Sequence, residues 1–104
     1  MNDKLQIFLE YKVKDDCTEQ YEALMKEILP ALKNYEATDV DWYEAADQKN
    51  LYVEMFQLPT MSHYHGMKKM RCTLEHQLFS KLDSVVVGGI EKVHCWAFIQ
   101  RKTE

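Results

Sequence analysis

The stretch Asn50-Leu51-Tyr52-Val53-Glu54-Met55-Phe56-Gln57-Leu58 decides how the rest of the chain is read. Side chains on a strand alternate between two faces. One face carries Leu51, Val53 and Met55; the other carries Tyr52, Glu54, Phe56 and Leu58. A strand apolar on both faces belongs inside a sheet that is covered on both sides. Helices of the same chain supply one cover. The chain is too short to supply the other, so a second copy is expected to do so.

Outward from this strand, the chain alternates in other places. Leu5 to Val13 sets Leu5, Ile7, Leu9, Tyr11 and Val13 against Gln6, Phe8, Glu10 and Lys12, which predicts a strand. Thr38 to Ala45 reads as a second strand, with Val40 and Trp42 on one face and Asp41 and Tyr43 on the other. The polar turn from Ala46 to Asn50 joins it to the opening strand as a hairpin. Lys92 to Gln100 is a final strand, dividing Val93, Cys95, Ala97 and Ile99 from His94, Trp96, Phe98 and Gln100.

Between the strands the period changes to that of a helix. Tyr21, Leu24, Met25, Ile28, Leu32 and Tyr35 form one stripe. Asp16 with Glu19 has the spacing of a capping box at its start. Pro30 lies inside this helix and is expected to kink it near Lys26. A second helix starts after Pro59, capped by Thr60 or Ser62, with a stripe of Tyr64, Met67, Met70, Leu74, Leu78 and Leu82. Val85-Val86-Val87 suits a short extra strand, and Gly88-Gly89 a turn or hinge.

The order strand, helix, strand, strand, helix, strand predicts an α+β, ferredoxin-like βαββαβ fold over residues 1–104 as a single domain. A four-stranded antiparallel sheet then carries both helices on one face, with the first and third strands central. The helices are expected over the aliphatic face of Leu5, Ile7, Leu9, Val53, Met55, Val93, Cys95 and Ala97. The opposite face then holds Phe8, Tyr43, Tyr52, Phe56, Trp96 and Phe98, beside Glu10, Glu54 and His94. A face this apolar marks an interface. Tyr52, Glu54, Phe56, His94, Trp96 and Phe98 are therefore the expected homodimer contacts. Glu10, Glu54 and His94 read either as ionisable groups of a site or, more simply, as a paired polar network within that interface.

Composition narrows the partners. The 104 residues are 46% hydrophobic and 29% charged, ordinary for a globular protein. A net charge of -4 gives no basic surface for nucleic acid, and Lys68-Lys69 with Arg71 is the only local basic run. No apolar run reaches membrane-spanning length, and the charged start is no signal peptide. Cys17, Cys72 and Cys95 are odd in number and form no CxxC pair, which fits reduced thiols in the cytoplasm.

The layout resembles that of the dimeric alpha-beta barrel superfamily, which includes antibiotic-biosynthesis-type monooxygenases, heme-degrading monooxygenases and rhamnose mutarotases. The resemblance implies that two ferredoxin-like subunits pair sheet against sheet. Tyr21, then Leu29-Pro30-Ala31-Leu32, and Asn50-Leu51-Tyr52 are similar to the rhamnose mutarotase pattern. That pattern has a histidine four residues after the tyrosine and a tryptophan before the proline. Met25 and Leu29 stand there instead, so the proton-transfer residue is missing. The asparagine, tryptophan and histidine set of the heme-degrading group has no equivalent.

The candidate site follows from the residues that remain. His63 falls within the apolar stripe of the second helix, near Met67 and Met70, and would serve there as acid or base; a surface histidine in the first helical turn is the simpler reading. Tyr21, Trp42 and Tyr64 are the expected substrate-binding residues. Cys72 and His76, four apart, have a spacing that suits metal, but they lie opposite the stripe and two ligands are too few. No metal, nucleotide or other cofactor is expected, and the chain has no GxGxxG, Walker or GxSxG motif. The reading is a homodimer binding a small organic molecule in a pocket between helices and sheet, as a cofactor-independent monooxygenase or isomerase. The alternative is a non-catalytic binding or regulatory dimer. A cavity holding His63 favours the first; a core filled by Met25, Met67 and Met70 favours the second.

Overall fold

A computed structural model describes residues 4–103. Its strands are β1 (Leu5–Lys12), β2 (Thr38–Glu44), β3 (Leu51–Leu58) and β4 (His94–Phe98). Its helices are α1 (Thr18–Ala31) and α2 (Met61–Cys72). The sheet is antiparallel in the order β2-β3-β1-β4, so β1 and β3 are central, and the architecture is the expected α+β, ferredoxin-like one. The buried apolar residues form a cluster between the helices and one face of the sheet.

Register decides which residues face the helices, because directly opposed residues share a face. Leu5 lies opposite Leu58, Ile7 opposite Phe56, Leu9 opposite Glu54 and Tyr11 opposite Tyr52. The helix-covered face of β3 is therefore Tyr52, Glu54, Phe56 and Leu58, all buried. This corrects the expectation that Val53 and Met55 would face the helices and that Tyr52, Glu54 and Phe56 would face a partner. Both faces of the strand are apolar, so alternation fixed the two sets and not their direction. β1 and β4 turn as expected: Leu9 pairs with Cys95 beneath the helices, and Phe8 pairs with Trp96 on the open face.

The open face carries Phe8, Tyr43, Val53, Met55, His94, Trp96 and Phe98. Trp96 is 42% exposed and Phe98 51%. The Phe8 ring sits 6.1 Å from that of Trp96 and 6.2 Å from that of Phe98. His94 stacks on Trp96 at 5.8 Å, and its register partner is Glu10.

The helices depart from the expected bounds at their ends. No side chain caps α1; Asp16 and Glu19 do not form the capping box, and Asp15–Cys17 make a 3-10 turn instead. Pro30 falls in the last turn of α1, where the missing N–H is followed by a tighter 3-10 turn over Leu32–Tyr35. The second helix stops at Cys72, well short of Leu82. Thr73 is extended, and its hydroxyl donates to the Lys69 carbonyl at 2.5 Å. Leu74 is consequently exposed, and Phe79 and Leu82 enter the core from a separate 3-10 segment, Phe79–Ser84. Val86 bridges to Val13 as a short extra pairing, and Gly88 and Gly89 turn the chain at φ of 83° and 86°.

Candidate functional site

Beneath the helices lies a buried chain of polar groups. Arg71 follows Tyr64 and Met67 on the buried stripe of α2. Its guanidinium donates to both carboxylate oxygens of Glu54, at 2.8 and 2.7 Å, and lies over the Phe79 ring at 5.1 Å. Both charged side chains are fully buried. Burial disfavours the charged guanidinium, but the attraction of Glu54 outweighs it and raises the pKa of Arg71.

The rest of the chain has a direction set by its donors. Tyr11 donates to Glu54 at 2.5 Å, since a carboxylate held by two guanidinium N–H groups has no proton to give. Its one proton is then spent, so in the 2.7 Å contact between the phenols Tyr21 donates to Tyr11. The indole of Trp42 donates to Tyr21 at 2.8 Å. The relay runs Trp42 to Tyr21 to Tyr11 to Glu54, with Arg71 closing the far end. Burial raises the pKa of both tyrosines, and the carboxylate of Glu54 raises it further. Both phenols therefore hold their protons at neutral pH.

Local structure aims the outer end of the relay. A β-bulge between Thr38 and Asp41 inserts one residue into β2, with Asp39 at φ 52°. The slip puts Trp42 opposite Glu54 on the helix-covered face and leaves Tyr43 opposite Val53 on the open one. Trp42 stacks on Tyr52 with ring centres 6.1 Å apart, and Tyr52 lies 4.6 Å from Tyr21. Beside them opens a cleft of about 240 Å³ lined by Glu22, Trp42, Tyr43, Glu44 and Tyr52. Burial, then Glu44 and Glu22, raise the pKa of the Tyr52 phenol.

Of the four residues expected to share a pocket, the structure brings Tyr21 and Trp42 together. His63 lies at the other end of the sheet. Its backbone N–H donates to the Thr60 hydroxyl at 3.2 Å, which caps α2, and its ring meets Glu36 at 3.2 Å. That is the surface, first-turn position. A larger opening of about 690 Å³ near this end is lined by Lys4, Lys33, Glu36, Ala37, Thr38, Asp39 and Pro59, and not by His63. Tyr64 stands over β4, donating to the Cys95 carbonyl at 3.2 Å. Met25 and Met67 are buried and fill the core, with Met70 packed at its margin.

Cys72 and His76 do not share a helical face, because α2 ends at Cys72. His76 Nδ1 accepts the backbone N–H groups of Leu78 and Phe79, each at 3.1 Å. Its Nε2 therefore carries the proton and donates to the Tyr35 hydroxyl at 2.7 Å. Both ring nitrogens are committed to structure. Among the described residues no group of three or more His, Cys, Asp or Glu is placed to hold a metal ion, and no helix is long and apolar enough to cross a membrane.

The relay residues missed from sequence are Tyr11 and Arg71. Arg71 had a signal: it lies four residues after Met67 and seven after Tyr64, on the apolar stripe. A cation on that stripe and Glu54 among apolar neighbours call for each other.

No protein-family model matches the chain, and no curated protein is similar to it in sequence. Solved structures are similar in fold. A Pseudomonas aeruginosa protein, PA3566, superposes with a TM-score of 0.71 at 8% identity, covering 98% of each chain. A Bacteroides thetaiotaomicron protein of unknown function, described as a possible oxidoreductase, gives 0.66 at 11% identity over 96% of this chain and 100% of its own. An antibiotic biosynthesis monooxygenase gives 0.65 at 8% identity over 96% and 99%. At such identities the likeness establishes architecture alone: a four-stranded antiparallel sheet with two helices, the ferredoxin-like fold.

Proposed function

We propose that this protein is a homodimer that binds a small organic molecule in the cleft of Trp42 and Tyr52. The observation that carries the reading is the relay. Its outer end, the Trp42–Tyr21 pair, adjoins the cleft, and its inner end is anchored by a buried ion pair. Preorganised polar groups behind a small aromatic cleft are the common make-up of a ligand site. Glu22 and Glu44 at the mouth suit a ligand that presents a protonated amine. The filled methionine core argues against a ligand deep between helices and sheet, and His63, held by Thr60 and Glu36 away from this cleft, has no part in this reading.

The second copy covers the open sheet face through Phe8, His94, Trp96 and Phe98. A two-fold axis buries this patch against itself, with His94 beside Glu10 of its own sheet at the margin. Tyr52, Glu54 and Phe56 take no part, because they belong to the core of each subunit.

A catalytic reading has its own support. The structurally similar proteins include a monooxygenase and a possible oxidoreductase. In that reading the relay holds the Trp42 ring fixed against the ligand, while Tyr21, buried and donating inward to Tyr11, stays out of proton transfer, and no cofactor takes part. An isomerase would bind its substrate in the same cleft. Both readings place the ligand beside Trp42, so one experiment tests them. In a Trp96→Phe variant Trp42 is the only tryptophan. Titration with phenethylamine should quench its emission saturably, and phenylacetate should do so more weakly. Oxygen uptake with a bound amine separates catalysis from binding. Emission unmoved by either compound would remove the cleft as a ligand site.

A further inference from the structure

Two of the three cysteines converge where α2 crosses β4. Cys72 is the last residue of α2, half-buried, and its thiol donates to the Val93 carbonyl at 3.3 Å. About two turns earlier on the same helix, Tyr64 reaches the Cys95 carbonyl. These two anchors lay α2 along β4. Cys95 faces the helices, opposite the fully buried Leu9, so its side chain rises between the anchors. Val93 and Cys95 are two residues apart and both buried, so the Cys72 thiol held at the Val93 carbonyl stands beside the Cys95 side chain.

We propose that Cys72 and Cys95 form a hydroperoxide-reactive pair, in which Cys72 attacks the peroxide and Cys95 resolves the product as an intrachain disulfide. The thiolate sulfur of Cys72 attacks one peroxide oxygen. The O–O bond breaks, and the departing hydroxide leaves as water after taking a proton. Cys72 is then a sulfenic acid. The sulfur of Cys95 attacks it, the S–O bond breaks, and a second water leaves with the Cys95 proton. In sum, two thiols and one hydrogen peroxide give one disulfide and two waters. Peroxide is reduced and the pair is oxidised by two electrons.

The surroundings support the division of roles. The hydrogen bond with Cys95, then the charges of Arg71 and Lys68, hold the pKa of Cys72 down to about 7 against the effect of burial. Cys95, sharing its proton with Cys72 and buried, is shifted upward. Lys68 lies on the same helix, with its ammonium over the Tyr64 ring at 5.7 Å. Cys17 sits elsewhere, beside Asp16, whose carboxylate accepts its proton at 3.5 Å. The bridge would tie the end of α2 to β4, next to the Arg71 that holds Glu54.

The test uses the reduced protein, hydrogen peroxide, alkylation of remaining thiols and peptide mapping. The expected result is a mass loss of two hydrogens, a Cys72–Cys95 linked peptide, and Cys17 alkylated. With Cys95→Ala, a dimedone adduct should accumulate on Cys72. With Cys72→Ala, no adduct should form on Cys95. The wild-type map stands even if a variant folds poorly. All three thiols alkylated after peroxide, or Cys17 bridged as often as Cys95, would overturn the proposal.

Discussion

The guanidinium of Arg71 and the carboxylate of Glu54 face each other in two parallel hydrogen bonds of 2.8 and 2.7 Å, and solvent reaches neither side chain. Removing one partner strands the other charge in the core. Arg71→Met or Glu54→Leu should each cost about 3–5 kcal/mol in urea unfolding, as breaking a buried pair does. The double variant Glu54→Leu with Arg71→Met should be more stable than either single one, less the cost of leaving Tyr11 without its acceptor. Additive losses would show that the two residues act separately.

The relay predicts a limit at alkaline pH. Burial, then Glu54, raises the pKa of Tyr11, and burial raises that of Tyr21. A raised folded-state pKa means that the stabilisation is full below the unfolded value of about 10 and is lost as pH climbs toward the folded one. Above pH ~10, stability should fall by up to ~1.4 kcal/mol per pH unit for each tyrosine. Tyr11→Phe should be less stable at pH 7 and should flatten this alkaline slope. An unchanged slope would mean that the phenols ionise as easily in the fold as outside it.

The open sheet face and the core give opposite responses to lysine. Phe98→Lys should leave the fold intact and yield a monomer in sedimentation at micromolar concentration. Phe56→Lys should unfold the protein, since Phe56 is fully buried beneath the helices. A wild-type protein that sediments as a monomer would refute the dimer.

His76 acts through both ring nitrogens. Its Nδ1 takes two backbone N–H groups at the start of the Phe79–Ser84 turn, as a capping residue does. His76→Ala should cost about 1–2 kcal/mol in thermal or urea unfolding. Cys72→Ala should leave that turn untouched. If added zinc stabilised the wild type and neither variant, the two residues would after all act as one metal site.

Dimer contacts aside, the layout of this protein was legible along the chain. Strict alternation in Leu5–Val13 and 3.6-residue spacing in Tyr21–Leu32 each follow from which side chains must leave water. The order of these patterns leaves few ways to build a sheet. The candidate site was half legible. Tyr21 and Trp42 stood out, whereas Tyr11 passed as a core residue and Arg71 as part of a basic run.

Tertiary structure decided what local pattern leaves symmetric. Tyr52, Glu54 and Phe56 and the set Leu51, Val53 and Met55 are both apolar enough to be buried. Only pairing with Leu9 and Tyr11, whose own face is unambiguous, chose between them. The end of α2 at Thr73 was likewise a contest between a long-range core and a local hydroxyl, and the apolar spacing of Leu74 and Leu78 did not carry the helix on. Glu54 is tolerated at the centre of the sheet because Arg71 arrives from an element 17 residues away. Periodicity records which side chains avoid water, but a buried charge pair depends on where two elements meet, and that is fixed only when the chain has folded.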